Sequence, residues 1–295
     1  MQHDRDAGLG TGLIVASAVA YSLAGYFTRL IELDVWTVLF WRGIFAGVFI
    51  GAVAAWMHRR DLAGMVRAMG WPSLWVTILS AVASISYISA LRLIPVAEVM
   101  TVHAALPFVA ALLALAVTGE RENRATLAAC CVALAGVAII FDPRASADHM
   151  AGYGFAILMV LSYGTLMVVI RRHRDVSMLP AACLSAFLCA VLVLPLASPG
   201  KVPAAEMLEL ALFGTAQFGL GLLLMTVGTR LISATRSALI GSLENPLAPL
   251  WVWLAFAEAP SLSTWIGGGI VMAAVAGDVL VKSVRTRRAV PAAPS

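Results

Sequence analysis

Long apolar runs follow one another along almost the whole chain, and each approaches the 20 or so residues that an α-helix needs to cross the hydrocarbon core of a membrane. The ten runs cover residues 9–29, 36–57, 71–91, 95–118, 124–141, 151–171, 178–198, 207–230, 235–257 and 262–282. In lipid, backbone polar groups must bond within helices or closed barrels, and unbroken runs lack the alternation of barrel strands. The pattern predicts an all-α integral membrane protein with ten transmembrane helices.

Composition and charge agree with a membrane location. Of the 295 residues, 61% are hydrophobic and 12% are charged, whereas a soluble domain has about 25% charged residues. No small-residue cleavage site follows the first run, so we expect a retained helix. With a cytoplasmic N-terminus, inner loops and tails hold fifteen Lys and Arg residues against four in outer loops. The positive-inside rule then predicts a multi-pass plasma (inner) membrane protein with both termini cytoplasmic.

The two halves of the chain share a repeated pattern. Residues Arg92, Leu93, Ile94 and Glu120 recur at one constant offset as Arg230, Leu231, Ile232 and Glu258, and residues Gly10, Tyr21 and Arg29 recur at a second offset as Gly152, Tyr163 and Arg171. Five helices per half is an odd number, so the second half must enter the membrane from the opposite side. We therefore predict inverted repeats over residues 1–146 and 147–295, with a substrate site between them near the membrane midplane.

Several of these features resemble a known superfamily. The chain resembles EamA-type members of the drug/metabolite transporter superfamily in three features. These are the two five-helix repeats, Arg42 in Phe-Trp-Arg-Gly near the start of the second helix, and the glutamates Glu120 and Glu258 that close helices four and nine. The resemblance implies secondary transport through a central cavity lined mainly by helices 1, 3, 4, 6, 8 and 9. The second repeat departs from the first where Asn245 takes the place of Pro107.

Ionisable groups in the middle of the runs are candidates for binding, because a charge at mid-bilayer is costly. Glu244 lies about ten residues into the ninth run, followed by Asn245, Pro246 and, further on, Pro249. The prolines should free backbone carbonyls, and burial of a carboxyl group favours its protonated form, which suits proton coupling. His103 in the fourth run is a second candidate, because histidine side chains in general titrate in the pH range that a proton-coupled carrier would use. The alternative for Glu244 is a structural carboxylate paired with a donor on a neighbouring helix. The alternative for His103 is a buried neutral histidine with a hydrogen-bond partner.

Other polar residues within the runs are candidates for lining a cavity. Ser84 and Tyr87 belong to a polar stripe on the third run, and Gln217 lies in the eighth. The repeat-matched Tyr21 and Tyr163 can flank a ligand with their rings. Small hydroxyl groups also serve helix packing in membranes, so a packing role is the alternative for the serine.

Four charged residues have positions that favour gating or structural roles. Arg42 lies about six residues inside the second run, from which its long side chain can extend towards Asp34 or Glu32. Glu98 follows Pro95 in the first turn of the fourth run, where a carboxylate complements the helix dipole. For Glu120 and Glu258, which lie at helix ends, we expect capping or ion pairing.

The candidate site favours a small-molecule substrate. It has carboxylate, imidazole, amide and phenol groups but few buried basic residues, so an amino acid or derivative is preferred to a multiply phosphorylated compound; the family resemblance favours its export. Alternatives are uptake or exchange of a vitamin- or nucleotide-derived metabolite, and a non-transporting subunit or flippase component.

Other classes of partner and activity have little support. Basic residues form no aromatic-interleaved patch, and the sequence has no H-E-x-x-H or G-x-S-x-G motif. We therefore expect no nucleic-acid partner, no enzyme activity, and neither cofactor nor metal. Glycine ridges at 43, 47 and 51 and at 269 and 277 allow close helix packing, within the chain or in a homodimer.

Overall fold

The computed structural model describes residues 2–57, 69–118, 124–141, 146–173, 178–232, 237 and 240–289, and across these ranges the fold is helical without strands. The α-helices are α1 (Gln2–Ser22), α2 (Ala24–Leu30), α3 (Val35–Met57), α4 (Trp71–Leu93), α5 (Val96–Ala104), α6 (Leu106–Thr118), α7 (Arg124–Ile140), α8 (Ala147–Arg172), α9 (Met178–Val193), α10 (Ala204–Leu212), α11 (Gly221–Leu231), α12 (Glu244–Phe256) and α13 (Leu262–Ala289). A 3₁₀ turn (Pro199–Lys201) precedes α10, and a π-helical segment (Phe213–Leu220) joins α10 to α11.

The helices confirm the all-α membrane class but not the number of membrane crossings. By length and composition, five described spans can cross a membrane: Gly8–Leu30, Val35–Met57, Trp71–Leu93, Ala147–Ile170 and Ala204–Leu231. A sixth results if α5 and α6, bent by 40° relative to each other, count as one span. Three further apolar helices, within α7, α9 and α13, are shorter. The prediction of ten transmembrane helices is therefore not confirmed.

The main helix pairs join the two halves of the chain. Helix α4 packs along α8, and α1 packs along α11; the two pairs are related by exchange of the repeats. Helices α3 and α9, α5 and α12, and α7 and α13 also pair, each helix with its counterpart in the other repeat. Interleaving of this kind gives the two halves a common interior instead of two separate cores.

Repeat-matched glycines explain how two of these pairs approach closely. A Cβ added at Gly10 would lie 2.7 Å from Leu231 Cβ and 2.8 Å from Ile232 Cγ2. Gly152, at the matching position in α8, packs in the same way on the Leu-Ile pair at the end of α4. The same contact, a glycine of one repeat against a Leu-Ile pair of the other, therefore occurs twice: once between α1 and the end of α11, and once between α8 and the end of α4.

Two helix breaks meet in the middle of the bundle. Helix α5 ends at Ala104, because Pro107 has no N–H for the His103 carbonyl and begins the separate helix α6. Helix α12 begins at Glu244 after a turn at residues 242–243. The expected position of Glu244 inside a continuous helix is therefore wrong: Pro246 lies in the first turn of α12, where proline is tolerated.

The glycine ridges differ in their surroundings. On α3, Gly43, Gly47 and Gly51 face α9 and touch Ala186 and Phe187, among other neighbours. Small residues at 269 and 277 of α13 are exposed, and a Cβ added at either position would meet nothing within 4 Å. The first ridge packs within the chain, and the homodimer stays a prediction.

Candidate functional site

The side chains predicted to contact substrate gather around the two helix breaks. They are Tyr21, Ser84, Tyr87, His103, Tyr163, Gln217, Glu244 and Asn245. They come from helices of both repeats, so the site exists only in the folded chain. Their roles in binding stay predictions.

A hydrogen bond between His103 and Asn245 ties one break to the other. Nδ1 of His103 lies 3.1 Å from Oδ1 of Asn245. The imidazole ring also lies beside two tyrosine rings, with centroid distances of 6.2 Å to Tyr87 and 6.3 Å to Tyr163. The pair thus connects α5 and α12 at the centre of the bundle, and it brings the imidazole against the aromatic side of the site.

Glu244 supplies the negative charge of the site. Its carboxylate interacts electrostatically with His103 and with the three tyrosines, Tyr21, Tyr87 and Tyr163. The side chain is only partly covered although it lies within the bundle. An acidic group in such a position can bind a cationic group or a proton.

Arg42 supplies the positive charge, and its guanidinium is held from several directions. It donates from Nη1 to Ser84 Oγ at 2.9 Å and from Nη2 to Gln217 Oε1 at 3.3 Å. Its Cζ lies 4.9 Å from the ring centre of Phe213 and 4.7 Å from that of Phe218. These cation–π contacts and hydrogen bonds compensate for burial of the charge.

The expected outward extension of Arg42 is wrong. Asp34, one of the two partners expected from sequence, instead caps α3 by accepting hydrogen bonds from the backbone N–H groups of Trp36 at 3.1 Å and Thr37 at 2.9 Å. Glu32 is exposed. Arg42 turns inward because the interior offers it two hydrogen-bond acceptors and two aromatic faces, which the spacing along α3 does not reveal.

The π-helical segment positions Gln217. Its amide bridges two elements, since Oε1 accepts from Arg42 while Nε2 donates to the Tyr21 carbonyl at 3.1 Å. A π segment shifts the register of the side chains that follow it and often occurs at functional sites. Phe213 and Phe218 belong to this segment; the sequence analysis missed both, although Phe218 is adjacent to the predicted Gln217.

Two buried donors at the site lack a hydrogen-bond partner among the described residues. They are Nε of Arg42 and the hydroxyl of Tyr87. Both side chains are buried, and the phenol and guanidinium interact electrostatically. Buried donors without partners are uncommon in native proteins. The two groups can donate to an acceptor such as a carboxylate.

A second polar cluster joins the repeats where α2 and α4 end, which the charge distribution predicts to be the outer end. Arg29 Nε lies 2.7 Å from Glu258 Oε2. The guanidinium also donates to the carbonyls of Leu91 and Ile94, and Glu258 Oε1 accepts from the Val96 N–H at 2.9 Å. Glu258 thus has an ion-pair partner just beyond the end of α12, and the sequence did not point to that partner, Arg29; the gating or structural role of Glu258 stays a prediction.

We predict that Glu258→Gln will loosen this outer cluster. Loss of the carboxylate charge weakens hydrogen bonds that are each worth about 1.5–3 kcal/mol, so the Val96 amide should exchange its hydrogen roughly tenfold faster. Hydrogen–deuterium exchange of peptides spanning residues 91–99 measures this rate. Glu32→Gln is the control, since Glu32 is exposed near the same end. Equal exchange in wild type and Glu258→Gln would show that the ion pair does not hold the junction between α4 and α5.

Glu98 and Glu120 are the other two of the four charged residues for which we predict gating or structural roles. Glu98, in the first turn of α5, lies with Oε2 3.2 Å from Nε2 of His149 in the second repeat. This contact adds another link between the repeats. Glu120 lies outside the described residues. Within the described ranges, no three His, Cys, Asp or Glu side chains are arranged to hold a metal ion.

Comparison with known proteins shows what this architecture is similar to. The model of the EamA-like transporter family matches residues 8–142 and again residues 150–278. A solved structure titled "Crystal structure of protein" superposes with a TM-score of 0.65 at 20% sequence identity, covering 92% of this chain and 98% of its own. At that identity the likeness shows the fold alone. No curated protein matches the chain.

The family match carries the identification. Its two segments together cover well over half of the chain and coincide with the two repeats seen in the sequence. The apolar helices and the interleaved halves agree with it. The chain therefore belongs to the EamA-like transporter family and is a multi-pass membrane transporter of the drug/metabolite type.

Proposed function

We propose that this transporter moves a zwitterionic amino acid or a derivative of one across the plasma (inner) membrane by alternating access. One observation carries the proposal. A buried arginine, Arg42, and a partly covered glutamate, Glu244, both interact electrostatically with the same three tyrosines, two of which lie beside His103 where two broken helices meet. A site with one charge of each sign matches a substrate that also carries one of each.

Glu244 is the proposed partner of the substrate ammonium group. The carboxylate is the acidic group that interacts with all three site tyrosines and with His103. The rings of Tyr87 and Tyr163 flank His103, so aromatic faces lie close to the place where an ammonium group would bind. Cations are attracted to such faces as well as to the carboxylate.

Arg42 and Tyr87 are the proposed partners of the substrate carboxylate. Their unpartnered donors, Nε and the phenol hydroxyl, are both buried. Hydrogen bonds to a charged acceptor are stronger than those between neutral groups. Because Ser84, Gln217 and two phenylalanines already hold the guanidinium, it is preorganised and loses little freedom when the substrate binds.

Two further features support alternating access with proton coupling. The repeat-exchanged helix pairs give the two halves related packing, as expected where inward-open and outward-open states interconvert. Glu244 interacts electrostatically with His103, and carboxyl and imidazole groups are the side-chain groups that proton-coupled transport commonly uses. We infer export driven by the proton gradient, with both termini cytoplasmic and no catalytic activity.

The test is transport of isotope-labelled amino acids and derivatives into proteoliposomes, with and without an imposed pH gradient. Wild type should accumulate a substrate against its own gradient only when the pH gradient is present. Glu244→Gln keeps the size of the side chain and one acceptor oxygen but cannot bind and release a proton. We expect it to lose accumulation and to keep a slower exchange of substrate at raised substrate concentration, because an amide binds the ammonium group more weakly than a carboxylate does.

The control and the outcomes separate the parts of the proposal. Glu32→Gln changes an exposed carboxylate and should transport like wild type. Undiminished accumulation by Glu244→Gln would remove this residue from coupling. If folded wild type transports no member of the panel in either direction, the amino-acid assignment is wrong, and a metabolite of another class or a non-transporting role becomes the better hypothesis.

A further inference from the structure

An apolar groove of about 310 Å³ runs along the bundle between α5, α12 and α13. Its walls include Met100, Pro249, Trp253, Trp265 and Gly269. Trp253 is 48% exposed and Trp265 is 63% exposed, so the groove opens on the outside of the bundle, where a membrane transporter meets lipid. The volume lies at the small end of the range for small-molecule sites.

The groove has an apolar wall and a polar inner end. Two threonines line it, but the Thr101 hydroxyl donates to the Ala97 carbonyl at 2.8 Å and the Thr264 hydroxyl lies 2.7 Å from the Ser261 hydroxyl. Both hydroxyls therefore already have partners, one within α5 and the other at the start of α13. Besides the indole N–H groups of two tryptophans, the remaining polar side chain in the lining is that of Asn245. Such a wall suits an alkyl or aryl group that approaches a polar centre.

Asn245 belongs to both the groove and the central site. Asn245 lines the groove and bonds His103, whose ring lies against Tyr87 and Tyr163. Glu244, the proposed ammonium partner, is the preceding residue in α12.

We propose that the groove holds the apolar side chain of an amphipathic amino-acid substrate, whose ammonium and carboxylate groups bind at Glu244 and Arg42. The proposal rests on the function proposed above and makes it more specific: the preferred substrates carry a long unbranched or aromatic side chain. From Thr264 to Met272, both in the wall, α13 rises by about 12 Å. A side chain of several methylene groups can therefore extend along the groove from Asn245.

A homologous series of 2-aminoalkanoic acids with four to ten carbons tests the proposal. Each acid is measured as an inhibitor of labelled amino-acid binding to the purified protein. Burial of one methylene group contributes about 0.8 kcal/mol, so each added methylene should lower the inhibition constant roughly fourfold in wild type. The readout is the slope of the logarithm of the inhibition constant against chain length. Every variant is therefore compared with its own value for the four-carbon acid.

Two matched substitutions on α13 locate the source of the slope. Gly269→Leu places a side chain in the groove, and Gly277→Leu places one on the same helix away from it; a Cβ at either position meets nothing within 4 Å. The slope should flatten in Gly269→Leu and persist in Gly277→Leu. Equal slopes in all three proteins, with the four-carbon acid still binding, would overturn the groove proposal alone. Absence of binding by every acid in folded wild type would overturn it together with the zwitterion site.

Discussion

Replacement of Arg42 by leucine should weaken binding of the zwitterionic substrate roughly 10- to 100-fold. The guanidinium offers a buried donor, Nε, that has no partner among the described residues, and a hydrogen bond to a charged group is worth about 1.5–3 kcal/mol. Leucine removes that donor and the charge, and it leaves Ser84 and Gln217 without their shared donor. Competition binding with the labelled amino acid selected by the transport panel measures the loss.

Arg42→Lys and Arg172→Leu make this result interpretable. Lysine keeps the charge but lacks the planar fork that serves two acceptors at once, so its affinity should fall between those of wild type and Arg42→Leu. Arg172 is exposed at the end of α8, and its replacement should leave binding unchanged. Wild-type affinity in a folded Arg42→Leu protein would restrict Arg42 to a structural role and remove it from the carboxylate site.

Substitution of Gly152 by alanine should destabilise the protein by about 1–3 kcal/mol, the usual cost of overpacking a close contact. The added Cβ would lie 3.0 Å from Leu93 Cβ and also against Ile94 Cγ2. Helix α8 would have to move away from α4, although alanine is the better helix former by itself. The midpoint of heat-induced loss of the monodisperse protein in detergent should fall by several degrees.

Gly154→Ala is the matched control for this substitution. Gly154 lies two residues further along α8, is exposed, and a Cβ there meets nothing within 4 Å. Its replacement should leave the midpoint unchanged or raise it slightly through helix propensity. Gly10→Ala, at the repeat-related contact in α1, should behave like Gly152→Ala. Equal midpoints for Gly152→Ala and Gly154→Ala would show that α8 can move away from α4 at this contact without loss of stability.

Much of the candidate site was predictable because membrane burial is selective about polarity. A polar or ionisable side chain within an apolar run is costly unless it has a partner, so Glu244, His103 and Gln217 could be identified by position alone. The repeat pattern singled out Tyr21 and Tyr163 in the same way. These residues lie together in the structure, and their roles await the experiments above.

The contacts of these residues were less predictable. Arg42 has as its partners Ser84 of α4 and Gln217 of the π-helical segment, which are far from it in sequence. Glu258 pairs with Arg29, and Glu98 with His149, across the two repeats. No local pattern encodes such pairs, because each depends on how helices from both halves pack.

By itself, the sequence determined the helical membrane class and the duplication, and it pointed to most of the polar residues that lie together in the structure, because hydrophobic periodicity and the cost of buried charge act locally along the chain. The tertiary structure decided where α12 begins, which way Arg42 points, and that Asn245 of the site also lines an apolar groove. These features depend on contacts between the repeats, where the position of a side chain is set by its neighbours in space more than by its neighbours in sequence.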